Sequence, residues 1–285
     1  MVSINTLPSR APAAAHAVER PAATTVRTPA SEPTSRVIAI ASGKGGVGKT
    51  WFSVSAACLL ARAGQRVLLF DGDLGLANVD IQLGLLPERD LSSVIGRDVP
   101  LEEAVTRYGT EPGQRFDVLA GRSGAGTLAG MDARSLERLL DGMRRASQYD
   151  TVLLDLGAGI DPAMRRLAAS ADISLVLATD EPTSLTDAYA VLKLLDRDHR
   201  HLRRGAAADA RIVINQASTL GSGEKTHAIL ARACRTFLGK EPPLAGVIRR
   251  DERVKDAIRH QVPLPVRHPG SLAARDMQRV LTTLG

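Results

Sequence analysis

Two lysines and a threonine sit in a run of glycines at residues 43–50, Gly43-Lys44-Gly45-Gly46-Val47-Gly48-Lys49-Thr50. A loop of this composition can curl until its backbone N–H groups point inward at phosphate oxygens, and a following helix adds the positive end of its dipole. Lys49 is placed to reach the terminal phosphates of a nucleoside triphosphate, and the Thr50 hydroxyl to ligate Mg²⁺. The context supports a phosphate loop over an unliganded glycine turn. An apolar strand segment, Val37–Ser42, leads in, and a helix follows with Phe52, Ala56, Leu59 and Ala63 on one face. Gly43 to Thr50, together with Trp51 in the first helical turn, are the expected nucleotide contacts. Lys44 is an extra: one lysine is enough to meet phosphate within one subunit. Taken alone it could be a further same-chain phosphate contact or a solvated side chain.

Carboxylates recur after two other strand-like runs. The segment Asp71-Gly72-Asp73 ends the first, with Asn78 and Asp80 close behind. Two acids spaced by two at a strand end face one crevice, where one can serve a metal's water shell and the other can orient an attacking water. Val152-Leu153-Leu154-Asp155 followed by Gly157 and Gly159 has the Walker B pattern. Its acid is suited to bind Mg²⁺ through water, and its glycines to a turn that feels the γ-phosphate. Asn215 closes another apolar run, where a turn-forming Asn is the plainer alternative to a ligand contact.

These residues need a scaffold. The chain has 285 residues, 44% of them apolar and 24% charged, enough for one large core with a short appendage. Strand-sized runs are expected at Val37–Ser42, Arg66–Phe70, Phe116–Ala120, Thr151–Leu154, Ile173–Ala178, Arg211–Asn215 and Leu244–Ile248. Helices are expected at Thr50–Ala63, Ala133–Ala146, Pro162–Ala169, Leu185–Leu195, Glu224–Leu238 and Ser271–Leu284. Asp161-Pro162 marks one start, Ser184 with Asp187 looks like a capping box, and Gly64 is a plausible stop. Alternating strands and helices imply an α/β fold: a mostly parallel twisted sheet covered by helices on both faces, with ligands beyond the carboxyl ends of its strands. Residues 1–36, rich in Ala, Pro, Ser, Thr and Arg, read as a disordered N-terminal tail, and 37–285 as the domain. No apolar run is long enough to span a bilayer. Cys58 and Cys234 are far apart and read as core residues of a reducing cytoplasm.

The loop with its second lysine resembles the deviant Walker A of the MinD/ParA family of P-loop ATPases, and the resemblance covers roughly residues 37–285. It implies ATP and Mg²⁺ as ligands, slow partner-stimulated hydrolysis, and an ATP-dependent homodimer in which Lys44 reaches the partner's nucleotide. It implies further that Asp71 lies near Mg²⁺ with Thr50 and Asp155, that Asp73 positions the hydrolytic water beside Lys49, and that Asn215 contacts adenine. Asp71–Asp80 and Asp180–Lys193 are similar to the branch that regulates flagellar number, FlhG (also called FleN). That branch acts on the flagellar GTPase FlhF, on basal-body components or on a flagellar transcription activator. Two features depart from it: residues 1–36 contain neither Asp nor Gln, and the final helix, with Leu272, Met277, Val280, Leu281 and Leu284 roughly on one face, carries only Arg275, Asp276 and Arg279 as charges. Packing of that helix on the domain is therefore favoured over peripheral attachment at the inner membrane.

A partition or positioning ATPase of the ParA kind is the alternative, as is an antiactivator that sequesters its partner. The net charge of +6 suits an acidic partner without choosing one. The basic stretches at Arg197–Arg211 and Arg249–Arg259 are interspersed with acids, which favours solvated surface over DNA binding. No Cys-x-x-Cys exists to hold an iron–sulfur cluster.

Overall fold

The computed structural model describes residues 35–284, apart from 74–76, 98, 110, 112, 122–132, 160 and 203–207. Residues 1–34 of the expected tail lie outside this set. Its last two belong to the folded body: the buried Ser35 hydroxyl lies 2.9 Å from both Ala146 O and Tyr149 O, and Arg36 opens the first strand.

Among the described residues the strands are β1 (Arg36–Ser42), β2 (Val67–Gly72), β3 (Thr106–Tyr108), β4 (Phe116–Leu119), β5 (Thr151–Ala158), β6 (Ile173–Ala178), β7 (Ala210–Ala217) and β8 (Leu244–Arg249). The helices are α1 (Lys49–Arg62), α2 (Val79–Leu83), α3 (Leu91–Arg97), α4 (Leu101–Ala104), α5 (Ala133–Arg145), α6 (Pro162–Ser170), α7 (Pro182–Leu202), α8 (Leu220–Leu238), α9 (Arg253–Arg259), α10 (Leu264–Arg267) and α11 (Leu272–Thr282). One sheet runs in the order β3-β4-β2-β5-β1-β6-β7-β8, parallel throughout except for the edge strand β3, which is antiparallel to β4. The expected mostly parallel α/β sheet is borne out.

Side chains alternate across a strand, so each strand feeds two cores. In β1, Val37, Ala39 and Ala41 join Met143 of α5, Leu167 of α6, Leu195 of α7 and Cys234 of α8. Ile38 and Ile40 join Phe52 and Cys58 of α1, Ala257 of α9 and Met277 of α11. Both cysteines are free and buried, as their apolar setting suggested.

Three expectations change in detail. Ser184 does not cap a helix: α7 starts at Pro182, and the buried Ser184 hydroxyl accepts from the Thr179 N–H at 3.0 Å. α8 begins at Leu220, not Glu224, because Thr219 and Ser222 form the capping box. In α11, Leu272 stays partly exposed while the charged Asp276 is buried, so the inward face is turned from the one apolar spacing suggested. Met277 and Val280 are nevertheless packed into the core beneath α1 and β8. No helix among the described residues is long and apolar enough to cross a membrane.

Candidate nucleotide site

The carboxyl ends of β1, β2 and β5 meet at the middle of the sheet. Asp71 and Asp155 stand opposite each other in register, and Ser42 opposes Ala158. The loop from β1 passes straight into α1, whose first residue is Lys49. Gly46 and Gly48 hold φ of 78° and 95°, the left-handed region where a side chain is strained. A Cβ on Gly48 would also come within 2.5 Å of Trp51 Nε1 and 2.6 Å of Asn215 Nδ2. Gly43 is needed for a different reason: a Cβ there would lie 2.4 Å from the backbone carbonyl of Asp187 in α7. Gly45 and Gly46 face open space.

That space is a cavity of about 560 Å³. The loop residues Gly45–Gly46 and Gly48–Trp51 form its floor, and Asp73, Asn215, Arg249 and Val254 stand around it. Lys49 is buried beneath, its Nζ donating to Ser42 Oγ at 2.9 Å, while Ser42 Oγ donates to Lys44 O at 2.7 Å. Burial lowers the Lys49 ammonium's pKa, opposed by the charges of Asp155 and Asp73. Asp155 is buried too, and burial pushes its pKa up against the Thr50 hydroxyl, the Lys49 ammonium and the Ser53 hydroxyl, which donates at 2.9 Å to Oδ1. Its other oxygen, Oδ2, is buried and takes a hydrogen bond from none of the described residues.

Asp71 is fully buried, with its pKa pushed up by that burial and by Asp155. Its Oδ1 accepts the Asp73 N–H at 3.1 Å, and its Oδ2 accepts the Asn78 and Val79 N–H groups at 3.0 Å each. Its carboxylate therefore pins the following loop. Asp73 is half-buried at the cavity edge and packs on bare backbone, since a Cβ on Gly157 would lie 3.3 Å from its Oδ1. Asn78 lines the cavity beyond it.

Lys44 turns away from the loop. Its Nζ pairs with Glu181 and donates to Thr183 Oγ1 at 3.1 Å, at the start of α7. Asn215 is buried, with Nδ2 donating to Val47 O at 2.7 Å and Oδ1 accepting the Gln216 N–H at 2.8 Å. In this structure it therefore braces the loop. Gln216 itself adopts φ of 59° and donates to Gly46 O at 3.2 Å.

The residues expected at the site thus converge on one cavity or its immediate support, apart from Lys44. Sequence reading missed Ser42 and Ser53, the partners Glu181 and Thr183, and the wall formed by β8 and the loop after it. Ser53 carried a signal, one helical turn after Lys49. Glu181 lies within the Asp180–Lys193 stretch, whose sequence carries a resemblance but no chemical role.

Mg²⁺ can be tested against this donor set. Among the described residues no three His, Cys, Asp or Glu side chains form a ready cation cage. An Mg²⁺ held by one or two carboxylates, a hydroxyl and nucleotide phosphates needs none. Asp155, which meets the Thr50 hydroxyl and keeps a buried Oδ2 with no partner among the described residues, fits such an ion. Away from the cavity, the described arginines of the first basic stretch are paired, Arg197 with Asp198, Arg200 with Asp196 and Arg211 with Asp209, and Arg165 also pairs with Asp198; Arg203 and Arg204 lie outside the described residues. His199 is buried with its Nδ1 2.8 Å from Ala169 O.

Comparison with known proteins shows the family and the fold. The model of the CobQ/CobB/MinD/ParA nucleotide binding domain matches residues 38–264. The antiactivator FleN of Pseudomonas aeruginosa is 36% identical over 240 residues, covering 84% of this chain and 82% of its own length. The flagellum site-determining protein YlxH of Helicobacter pylori is 27% identical over 248 residues, covering 86% and 80%. Among solved structures, the septum site-determining protein MinD of Pyrococcus horikoshii, complexed with Mg-ADP, superposes with a TM-score of 0.70 at 23% identity, covering 88% of this chain and 96% of that one.

Proposed function

Because the chain belongs to the CobQ/CobB/MinD/ParA nucleotide-binding family, we propose that it is an ATP-hydrolysing switch that dimerises on ATP and regulates flagellar number or placement. The observation that carries the reading is the buried Lys49–Ser42 contact beneath an open glycine loop, together with the buried Asp155 oxygen that takes no hydrogen bond from the described residues. Phosphoryl transfer of this type asks a protein for positioning and charge neutralisation more than for covalent chemistry. Loop N–H groups and Lys49 bind the β- and γ-phosphates. Thr50 and Asp155, with Asp71 behind them, are the residues that would hold Mg²⁺, whose chemistry there is to neutralise charge on those phosphates. Asp73, at the cavity edge, orients the attacking water and accepts its proton. Trp51 and Asn215 bound the base end, with Asn215 acting through the loop it braces.

Lys44 completes the site of a second copy. The free chain keeps it on Glu181 and Thr183, so engagement across a dimer exchanges one set of oxygens for another. The flagellar role is supported by two relatives, an antiactivator and a flagellum site-determining protein. The first favours a transcription activator as partner; a flagellar GTPase or basal-body component is the other class.

The test has two parts. Light scattering should show dimers with ATP and Mg²⁺ and monomers with ADP, and Lys44→Ala should abolish both dimers and turnover. Monomers at saturating ATP would sink the switch. A deletion strain with unchanged flagellar number and position would remove the flagellar assignment while leaving the ATPase intact.

A further inference from the structure

The far wall of the nucleotide cavity is tied to the last helix. Arg249 ends β8 and lines the cavity. Asp276 of α11 is buried, its side chain fully covered. Its Oδ2 accepts the Arg249 backbone N–H at 3.1 Å and Nε at 2.8 Å, and its Oδ1 accepts Nη2 at 2.8 Å and Arg279 Nη1 at 3.3 Å. One carboxylate thus fixes both the backbone and the guanidinium plane of Arg249. A second tie lies two residues on: Asp251 Oδ1 accepts the Arg253 N–H at 3.0 Å, and its Oδ2 accepts the Ala273 N–H of α11 at 3.2 Å. α11 also lies tight on β8, since a Cβ on Gly246 would come within 2.6 Å of Val280 Cγ2.

A buried ion pair is a poor way to add stability, because desolvation offsets most of its attraction; an apolar pair of similar volume does as well. It is a good way to fix a direction. A planar guanidinium clamped on one edge keeps its face and remaining N–H groups set for a flat or polar ligand. The same cavity is lined by the glycine loop, by Trp51 and by Arg249 and Asp251, so phosphates seated in the loop leave the base and sugar to meet this wall.

We propose that Arg249 contacts the base–sugar end of the nucleotide and that Asp276 is its positioning residue, so that occupancy of that end tightens α11 onto the body. The inference rests on the nucleotide reading above and extends it to the last helix. Filling the wall restrains Arg249 and Asp251, and both hold α11. Phosphate alone, bound in the loop, leaves this wall untouched.

The experiment uses ADP and pyrophosphate, each with Mg²⁺, on the whole chain, so that dimerisation does not enter. Hydrogen exchange of the α11 backbone amides should slow about tenfold with saturating ADP and stay unchanged with saturating pyrophosphate. Calorimetry on Asp276→Asn should show ADP binding weakened about tenfold and pyrophosphate binding unchanged, a split that a merely structural role would not produce. Equal protection by both ligands would overturn the inference, since the signal would then travel through α1. So would ADP binding that leaves α11 exchange unaffected, with the nucleotide reading still standing. If ADP does not bind the wild-type chain at all, both fall. Should Asp276→Asn fail to fold, the wild-type exchange comparison decides alone.

Discussion

Gly43 and Gly45 are two residues apart in the same loop and answer to different constraints. An alanine at 43 drives into the backbone of Asp187, which cannot yield as a flexible side chain would. Gly43→Ala is expected to cost about 1–3 kcal/mol, read as a lowered denaturant midpoint. Gly45→Ala points a methyl into open space, so stability should hold within about 0.5 kcal/mol. The same methyl occupies room that phosphate needs, so nucleotide affinity should collapse in a binding titration. Lys44 sets a third expectation. Its contact with Glu181 is solvent-exposed, and such pairs contribute little, so Glu181→Ala should leave the melting temperature almost unchanged. It should raise the fraction of dimer at subsaturating ATP, because the lysine starts free. A fall in dimer content would show that Glu181 serves the dimer itself. The glycines, Lys49, Thr50 and Asp155 were legible because spacing alone encodes a phosphate loop and a strand-end acid. The partner of Lys44 was not: Glu181 lies 137 residues away, and only the sheet order brings it near.

At the level of elements, local signals worked where they were self-contained. Asp161 caps α6 by accepting the Ala163 N–H at 2.9 Å, and Gly64 adopts φ of 87° just past α1, both as residue type suggested. The edge strand β3 and the short helices α2, α3, α4, α9 and α10 escaped notice. Segments of three to seven residues carry too little periodicity to register, and packing decides them. α11 shows how such a reading can be right in kind and off in angle. Apolar spacing put Leu272 inward, whereas burial of Asp276 against Arg249 turns the helix. Met277 is completely buried there, so Met277→Ala should destabilise by about 2–5 kcal/mol, measurable by chemical denaturation. Leu272→Ala should cost well under half of that.

For the whole molecule, two cores on opposite faces of one sheet place a cysteine in each. Both thiols are covered, and burial pushes the Cys58 pKa up to about 11. The sign follows directly: a raised thiol pKa keeps the group protonated and unreactive through neutral pH. Iodoacetamide at pH 8 should therefore label neither site in the folded chain and both sites once denaturant crosses the unfolding midpoint. Labelling of Cys58 alone below that midpoint would reveal a local opening of the α1 layer.

The contact between Gly43 and Asp187 has a mechanical consequence. Backbone lies on backbone there, so the phosphate loop bears on α7 with no side chain to absorb play. α7 runs from Pro182 to Leu202, 21 residues, or about 30 Å at 1.5 Å per residue. Most of that length lies beyond the contact, which makes the helix a lever with a short arm on the loop. A tilt of about 4° at Gly43 would sweep the distal end, with Arg197 and His201, through more than about 1 Å. A displacement too small to notice at the phosphates becomes one that a docked protein can register at the opposite end of the helix.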